Sequence, residues 1–284
     1  MKLAVITDSS VYLPQSYHGH PDLYVLDIPI MISGETYVEG KNLTIEEFYP
    51  KMAQASTLPK TSQPSIADLD DTLTNLEKGG YTHVLGIFLS SGISGFWQNI
   101  QYLIEEHSQL TLAFPDSKIT SSPMGYMVTR VLDSAQAGQS FDQILSQVEA
   151  MIAGTEAYIM VDDLNHLVKG GRLSNSAALL GNLLNIKPIM YFNDGVIEVF
   201  EKVRTEKKAL KRLIGILDQR ASQGSYKTWI IEANAQTKAE RFQQELLASG
   251  FEGDLDIVPF CGVISTHLGE GAIAVGFTPK LDGK

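Results

Sequence analysis

The sequence predicts an α/β protein of two domains, a doubly wound parallel sheet followed by a second, mixed-sheet α/β unit. Through the first half, short branched apolar runs alternate with stretches of helical spacing, the pattern of strand–helix crossovers. The second half carries Asn193-Asp194-Gly195 between two extended runs, a hairpin signal that requires an antiparallel pair. With 284 residues, 44% of them hydrophobic, the chain is long enough to bury more than one core.

Leu3 to Thr7 reads as a buried first strand that opens onto Asp8-Ser9-Ser10. Tyr24 to Ile32 is the next extended run, and Ser33-Gly34 turns it back into Thr36 to Val38. Thr44 and Glu47 have capping-box spacing ahead of a helix through Phe48 to Ala53. Ser65 and Asp68 repeat that spacing, and Leu69, Leu73 and Leu76 carry a helix to Lys78. His83 to Leu89 reads as a strand, followed by SSGISG and a helix from about Phe96; Leu110 to Phe114 is another strand. A helical stretch runs from Met127 to Gln136, and Ser140 with Gln143 caps one reaching Ile152.

Gly154 and the extended run Ala157 to Val161 place the domain boundary at 155/156, with the C-terminal segment free to pack back on the first domain. Asp162 to Arg172 begins as a short helix and ends in a Gly-Gly turn; Ala177 to Leu184 has helical spacing. Ile186 to Phe192 and Val196 to Val203 form the hairpin, with Pro188 near an edge or a strand start. A helix over Lys207 to Leu217, a strand over Trp229 to Glu232, a helix over Glu240 to Leu247 and a strand over Ile257 to Phe260 complete the mixed unit. Gly262 to Gly276 reads as a polar, glycine-rich loop holding His267, and Cys261 as a small hydrophobe in or at the end of a strand.

A formal net charge of -11 disfavours a nucleic-acid backbone or an anionic membrane surface as main partner. The single cysteine excludes an internal disulfide, and the 6 histidines form neither an HExxH motif nor a close cluster, so no metal site is expected. The absence of a signal pattern or a membrane-length apolar run leads us to expect a soluble cytoplasmic protein. Gly269-Glu270-Gly271 before Ala274 mimics a dinucleotide fingerprint, yet no strand–helix unit and no acidic ribose contact follow it.

Two hydroxyl-rich stretches stand before helices, TSQPS at 61–65 and SSGISG at 90–95. Neighbouring strands would bring Thr61 or Ser62 and Ser91 or Ser94 to one crevice, although both stretches also fit ordinary helix caps. Arg172 and Arg204 suit anion contacts or surface ion pairs. Ser94, His267 and Asp8 or Asp162 could nominally form a hydrolase triad, but Gly92-Ile93-Ser94-Gly95-Phe96 lacks the small residue two places after serine.

Asp8-Ser9-Ser10, TSQPS, SSGISG, Lys169-Gly170-Gly171-Arg172, Ile186-Lys187-Pro188-Ile189 and the His267 segment together resemble the DegV family over nearly the whole chain. The resemblance implies a two-domain, non-catalytic fatty-acid-binding protein without cofactor. By it, Thr61 and Ser94 hold the carboxylate of a long-chain fatty acid such as palmitate, stearate or oleate. Ser62 and His267 support the head group, and Arg172 faces a separate fatty acid kinase that forms acyl phosphate. The first domain would contribute the head-group loops and the second the tail pocket. Leu268, Glu270, Phe96 and Pro123 depart from the family's usual residues. A serine-dependent hydrolase of acyl esters is the main alternative, and a protein-interaction module with incidental lipid is the third.

Overall fold

The computed structural model describes residues 1–174 and 187–281. Strand β1 (Leu3–Asp8) is buried along its whole length, because both faces of its sheet are covered. Leu3 and Val5 enter one core while Ala4 and Ile6 enter another, the alternation that a strand imposes. Strand β2 (Leu23–Leu26) pairs parallel with β1. Strands β3 (Ile30–Ile32) and β4 (Glu35–Tyr37) form the expected hairpin, with Ser33 and Gly34 both at positive φ. Helix α1 (Ile45–Gln54) starts with the complete Thr44–Glu47 capping box. Strand β5 (Lys60–Thr61) adds to β3, giving a three-stranded antiparallel sheet in the order β4-β3-β5.

Helix α2 (Ile66–Lys78) is capped by the Ser65 hydroxyl, which accepts the Asp68 N–H at 3.1 Å. The reciprocal half of the expected box is missing, since aspartate is a methylene shorter than glutamate. Strand β6 (His83–Gly86) ends earlier than expected. The Leu89 N–H leaves the ladder for the buried Asp8 carboxylate at 2.7 Å. Helices α3 (Phe96–Ile100) and α4 (Leu103–Glu106) lead to strand β7 (Thr111–Ala113). Helix α5 (Ser121–Gln136) begins well before Met127, and α6 (Phe141–Gly154) has the full Ser140–Gln143 box. The parallel sheet runs β2-β1-β6-β7, with α5 and α6 on one face and α2, α3 and α4 on the other.

The remaining elements are β8 (Glu156–Met160), α7 (Asn165–Lys169), β9 (Lys187–Asn193), β10 (Val196–Val203), α8 (Glu206–Ala221), β11 (Tyr226–Glu232), α9 (Gln236–Ala248), β12 (Asp254–Pro259), α10 (Gly262–Leu268) and β13 (Ile273–Pro279). They make a mixed six-stranded sheet, β10-β9-β8-β13-β11-β12, in which only β11 and β12 run parallel. The β9–β10 turn has Asp194 at φ 47° and Gly195 at φ 85°, the left-handed pair that tight hairpins require. Pro188 sits at the start of β9, as expected. The helical stretch over Ala177 to Leu184, and Ile186, lie outside the described residues.

Helices α8 and α9 cover one face of this sheet. The other face packs against α1, α10 and the three-stranded sheet, so residues 28–61 sit on the second sheet although they precede it by a hundred positions. Helix α10 corrects the expectation of a glycine-rich loop around His267, and Cys261 is its N-cap residue, just beyond β12. Gly269-Glu270-Gly271 turns a helix into a strand, the reverse of the strand-to-helix order that a dinucleotide fingerprint needs. No helix among the described residues is long and apolar enough to cross a membrane.

Candidate ligand-binding site

A cavity of about 450 Å³ lies where the loops following β5, β6 and β7 meet the second sheet and α10. Ligand pockets commonly span roughly 300–1,000 Å³. Thr61, Ser62, Ser94, Arg172 and His267 all line this one space, so the two hydroxyl stretches do share a crevice. Arg204 is exposed and stands apart from it. The apolar wall includes Ile28, Ile159, Ile197, Ile231 and Ala274, drawn from both halves of the chain.

The loop that carries Ser94 is fixed by its first residues. The Ser90 N–H donates to the Ile119 carbonyl at 3.0 Å, and the Ser90 carbonyl accepts the N–H groups of Ile93 and Ser94 at 3.2 and 3.1 Å. The Asp116 carboxylate accepts both the N–H and the hydroxyl of Ser91. Among the described residues the Ser94 hydroxyl accepts one long bond, 3.4 Å from the Phe96 N–H, and donates to none, so its proton can serve a ligand. The Ser62 hydroxyl instead turns to the Gln63 carbonyl at 3.2 Å.

Thr61 and His267 meet directly, with Oγ1 and Nε2 2.7 Å apart. Burial, and then electrostatic repulsion from the Arg172 side, push the His267 pKa down to about 4, so the ring is neutral at pH 7. In the tautomer whose Nε2–H donates to Thr61, the Thr61 hydroxyl keeps its proton for a ligand. Gly170 permits this arrangement: a Cβ there would stand 2.8 Å from His267 Nδ1. Gly171, at φ +70°, then turns the chain into Arg172.

The Arg172 guanidinium donates to the Gly170 carbonyl at 2.5 Å and has no carboxylate partner among the described residues. Burial lowers its pKa, a sign that its charge is partly desolvated. In the His267 tautomer that donates to Thr61, the Thr61 and Ser94 hydroxyls, together with a cation that has no carboxylate partner among the described residues, suit an anionic oxygen group.

Residues distant in sequence hold α10 in place. The Glu39 carboxylate accepts the Gly262 N–H at 2.5 Å, and the Tyr49 hydroxyl lies 2.9 Å from Ser265 Oγ. Sequence reasoning missed Glu39, Tyr49, Ser90 and Asp116 as supports, because none belongs to a local pattern naming its partner. The paired glycines before Arg172 were the one local signal of close packing.

No hydrogen bond joins Ser94 to His267 among the described residues. Asp8 is taken up by Leu89 and Ser10, and Asp162 by Lys187 and Lys238. The nominal hydrolase triad is therefore not assembled.

Neutral, half-buried His267 also predicts a pH dependence. Its folded pKa lies below the ordinary 6.5, so its contribution to stability is full above pH 6.5 and is lost as the pH falls toward 4. His267→Gln should therefore flatten the loss of stability over that interval, measured as urea midpoints at successive pH values. Parallel wild-type and variant curves would refute the assignment.

A family model described as "Uncharacterised protein, DegV family" matches residues 2–280. The chain belongs to the DegV family. A DegV domain-containing protein of Streptococcus pneumoniae is 59% identical over 282 residues, 99% of this chain and 100% of that protein. The DegV fold is shared with a solved fatty acid binding DegV family protein from Streptococcus agalactiae: 58% identity, TM-score 0.96, 99% of each chain covered. DegV of Bacillus subtilis, also described as a fatty acid binding protein, matches at 35% identity and a TM-score of 0.89, covering 99% of this chain and 100% of that one. The two-domain architecture is thus a family property.

Proposed function

We propose that this DegV protein binds a long-chain fatty acid, such as palmitate, stearate or oleate. Its carboxylate would be held by the Thr61 and Ser94 hydroxyls, with Ser62 and His267 in support. The observation carrying this reading is one cavity that gathers the Thr61 and Ser94 hydroxyls and the Arg172 guanidinium, which has no carboxylate partner among the described residues, beside a largely apolar wall. The fatty acid binding described for the Streptococcus agalactiae and Bacillus subtilis proteins supports it. Each buried CH₂ stabilises by about 0.8 kcal/mol, so the tail dominates affinity while the hydroxyls select the acid end.

In this reading the chain divides near residue 155, the first part supplying the Thr61 and Ser94 loops and the second most of the tail wall. The protein itself performs no reaction. It keeps the acyl chain out of water and presents the head group to a separate fatty acid kinase, with Arg172 facing that partner. Formation of acyl phosphate on adding the kinase and ATP tests the partnership.

Native mass spectrometry of the purified protein after exposure to oleate should show one fatty acid per chain; repeated failure to retain any would sink the proposal. Thr61→Val and Ser94→Ala should each weaken oleate binding by about tenfold, the effect of a hydrogen bond to a charged group. Unchanged dissociation constants in both variants would remove the two hydroxyls from the site.

A further inference from the structure

The second sheet meets the Ser94 loop at the Asn193–Gly195 turn of the β9–β10 hairpin, and Ile93 of that loop packs on the same sheet's core. The Ser90 hydroxyl donates to the Gly195 carbonyl at 2.7 Å, a buried bond spanning 105 positions. The same hydroxyl oxygen accepts the Gly92 N–H at 3.2 Å. Two glycines make the approach possible. A Cβ on Gly92 would lie 2.3 Å from the Gly195 oxygen, and one on Gly195 would lie 2.5 Å from Ser90 Oγ. Outside this contact, Lys118 pairs with Asp194 on the surface.

The residue fastened to the turn is thus the one whose carbonyl holds the Ser94 N–H. Besides its ladder with β8, the hairpin is attached on the Arg172 side. Leu173 bridges Ile197 in parallel, and the Ser174 N–H donates to the Ile197 carbonyl at 2.8 Å. One hairpin therefore touches the supports of two polar groups that lie far apart in the chain.

We propose that the β9–β10 turn is a positioning element for the head-group site, with Ser90, Gly92 and Gly195 setting the Ser94 hydroxyl in register with Arg172. None of the three needs to touch the ligand for this purpose. The inference rests on the fatty-acid reading above and extends it to how the acid end is distinguished from other polar ends. A misplaced Ser94 loop loses a hydrogen bond made to a carboxylate, while the aliphatic wall that binds the tail is left in place.

The test compares oleic acid with oleyl alcohol, which share the tail and differ at the head. Wild-type protein should bind the acid more tightly. Gly92→Ala should weaken acid binding by about tenfold and alcohol binding by less than about threefold, narrowing the discrimination. Ser90→Ala removes the Gly195 bond without adding bulk, so it decides the matter if Gly92→Ala fails to fold by circular dichroism. Lys118→Ala, at the exposed ion pair, should leave both affinities within about twofold. Wild-type discrimination preserved in both Gly92→Ala and Ser90→Ala overturns this inference alone. Wild-type protein that binds both compounds equally, or neither, overturns the head-group reading and this inference with it.

Discussion

Asp8→Ala is expected to lower the unfolding free energy by about 3 kcal/mol or more, among the largest effects of any single substitution here. Asp8 ends β1 in complete burial, and its carboxylate accepts three hydrogen bonds: the Leu89 N–H at 2.7 Å, the Ser10 N–H at 3.0 Å and the Ser10 hydroxyl at 2.6 Å. Burial pushes its pKa up, and these bonds oppose that rise. Alanine would leave all three donors without an acceptor in a place water does not reach. Asparagine keeps the shape but turns one acceptor into a donor, so Asp8→Asn should recover only part of the loss. Urea unfolding of the three proteins checks the order. A change below about 0.5 kcal/mol for alanine would show that the carboxylate is not what ties β1 to the segment after β6.

Gly125→Ala should destabilise by about 3 kcal/mol, for a different reason. Gly125 lies in the second turn of α5, where an added Cβ would sit 1.8 Å from the Tyr12 carbonyl oxygen and 2.9 Å from its carbon. Both atoms are backbone, so no rotamer change relieves the clash. Either the Tyr12 segment or the start of α5 must move, and Thr120, Ser121 and Pro123 at that start line the cavity. Gly215→Ala is the matched control. It lies in α8 with nothing within 4 Å of the new Cβ, and alanine there should stabilise by roughly 0.5–1 kcal/mol. Equal urea midpoints for the two variants would contradict the steric argument.

Features encoded by neighbouring residues were legible in the sequence. The Thr44–Glu47 and Ser140–Gln143 boxes each join residues three apart, and the Asn193-Asp194-Gly195 turn needs only its own backbone angles. The shared crevice of TSQPS and SSGISG was expected from neighbouring strands, but β5 belongs to the three-stranded sheet and β6 to the parallel one, so tertiary packing rather than strand–helix alternation brings the two loops together; the family resemblance covered the same residues. Helix α10 was not legible because its stability comes from elsewhere. Its glycine, serine and threonine content gives weak helix propensity, and Glu39, Tyr49 and the surrounding apolar residues hold it helical. The early start of α5 was hidden by Ser121, a non-glycine residue at φ 57°, followed by Pro123. The docking of residues 28–61 on the second sheet, and the Gly92–Gly195 approach, depend on tertiary packing that no local pattern records.

The place of β13 has a bearing on when the molecule can acquire its binding site. It pairs with β8 on one side and β11 on the other, yet it follows both in the chain. Synthesis runs from the N-terminus, so β8 through β12 emerge with a gap at the middle of their sheet, and the parallel sheet is complete long before. Ala274, on that late strand, is also part of the cavity wall. A nascent chain stopped short of residue 273 therefore has its hydroxyl loops but lacks part of the cavity wall. Chains that stop before β13 would expose the unpaired edges of β8 and β11, so the cavity wall is complete only once this strand is in place.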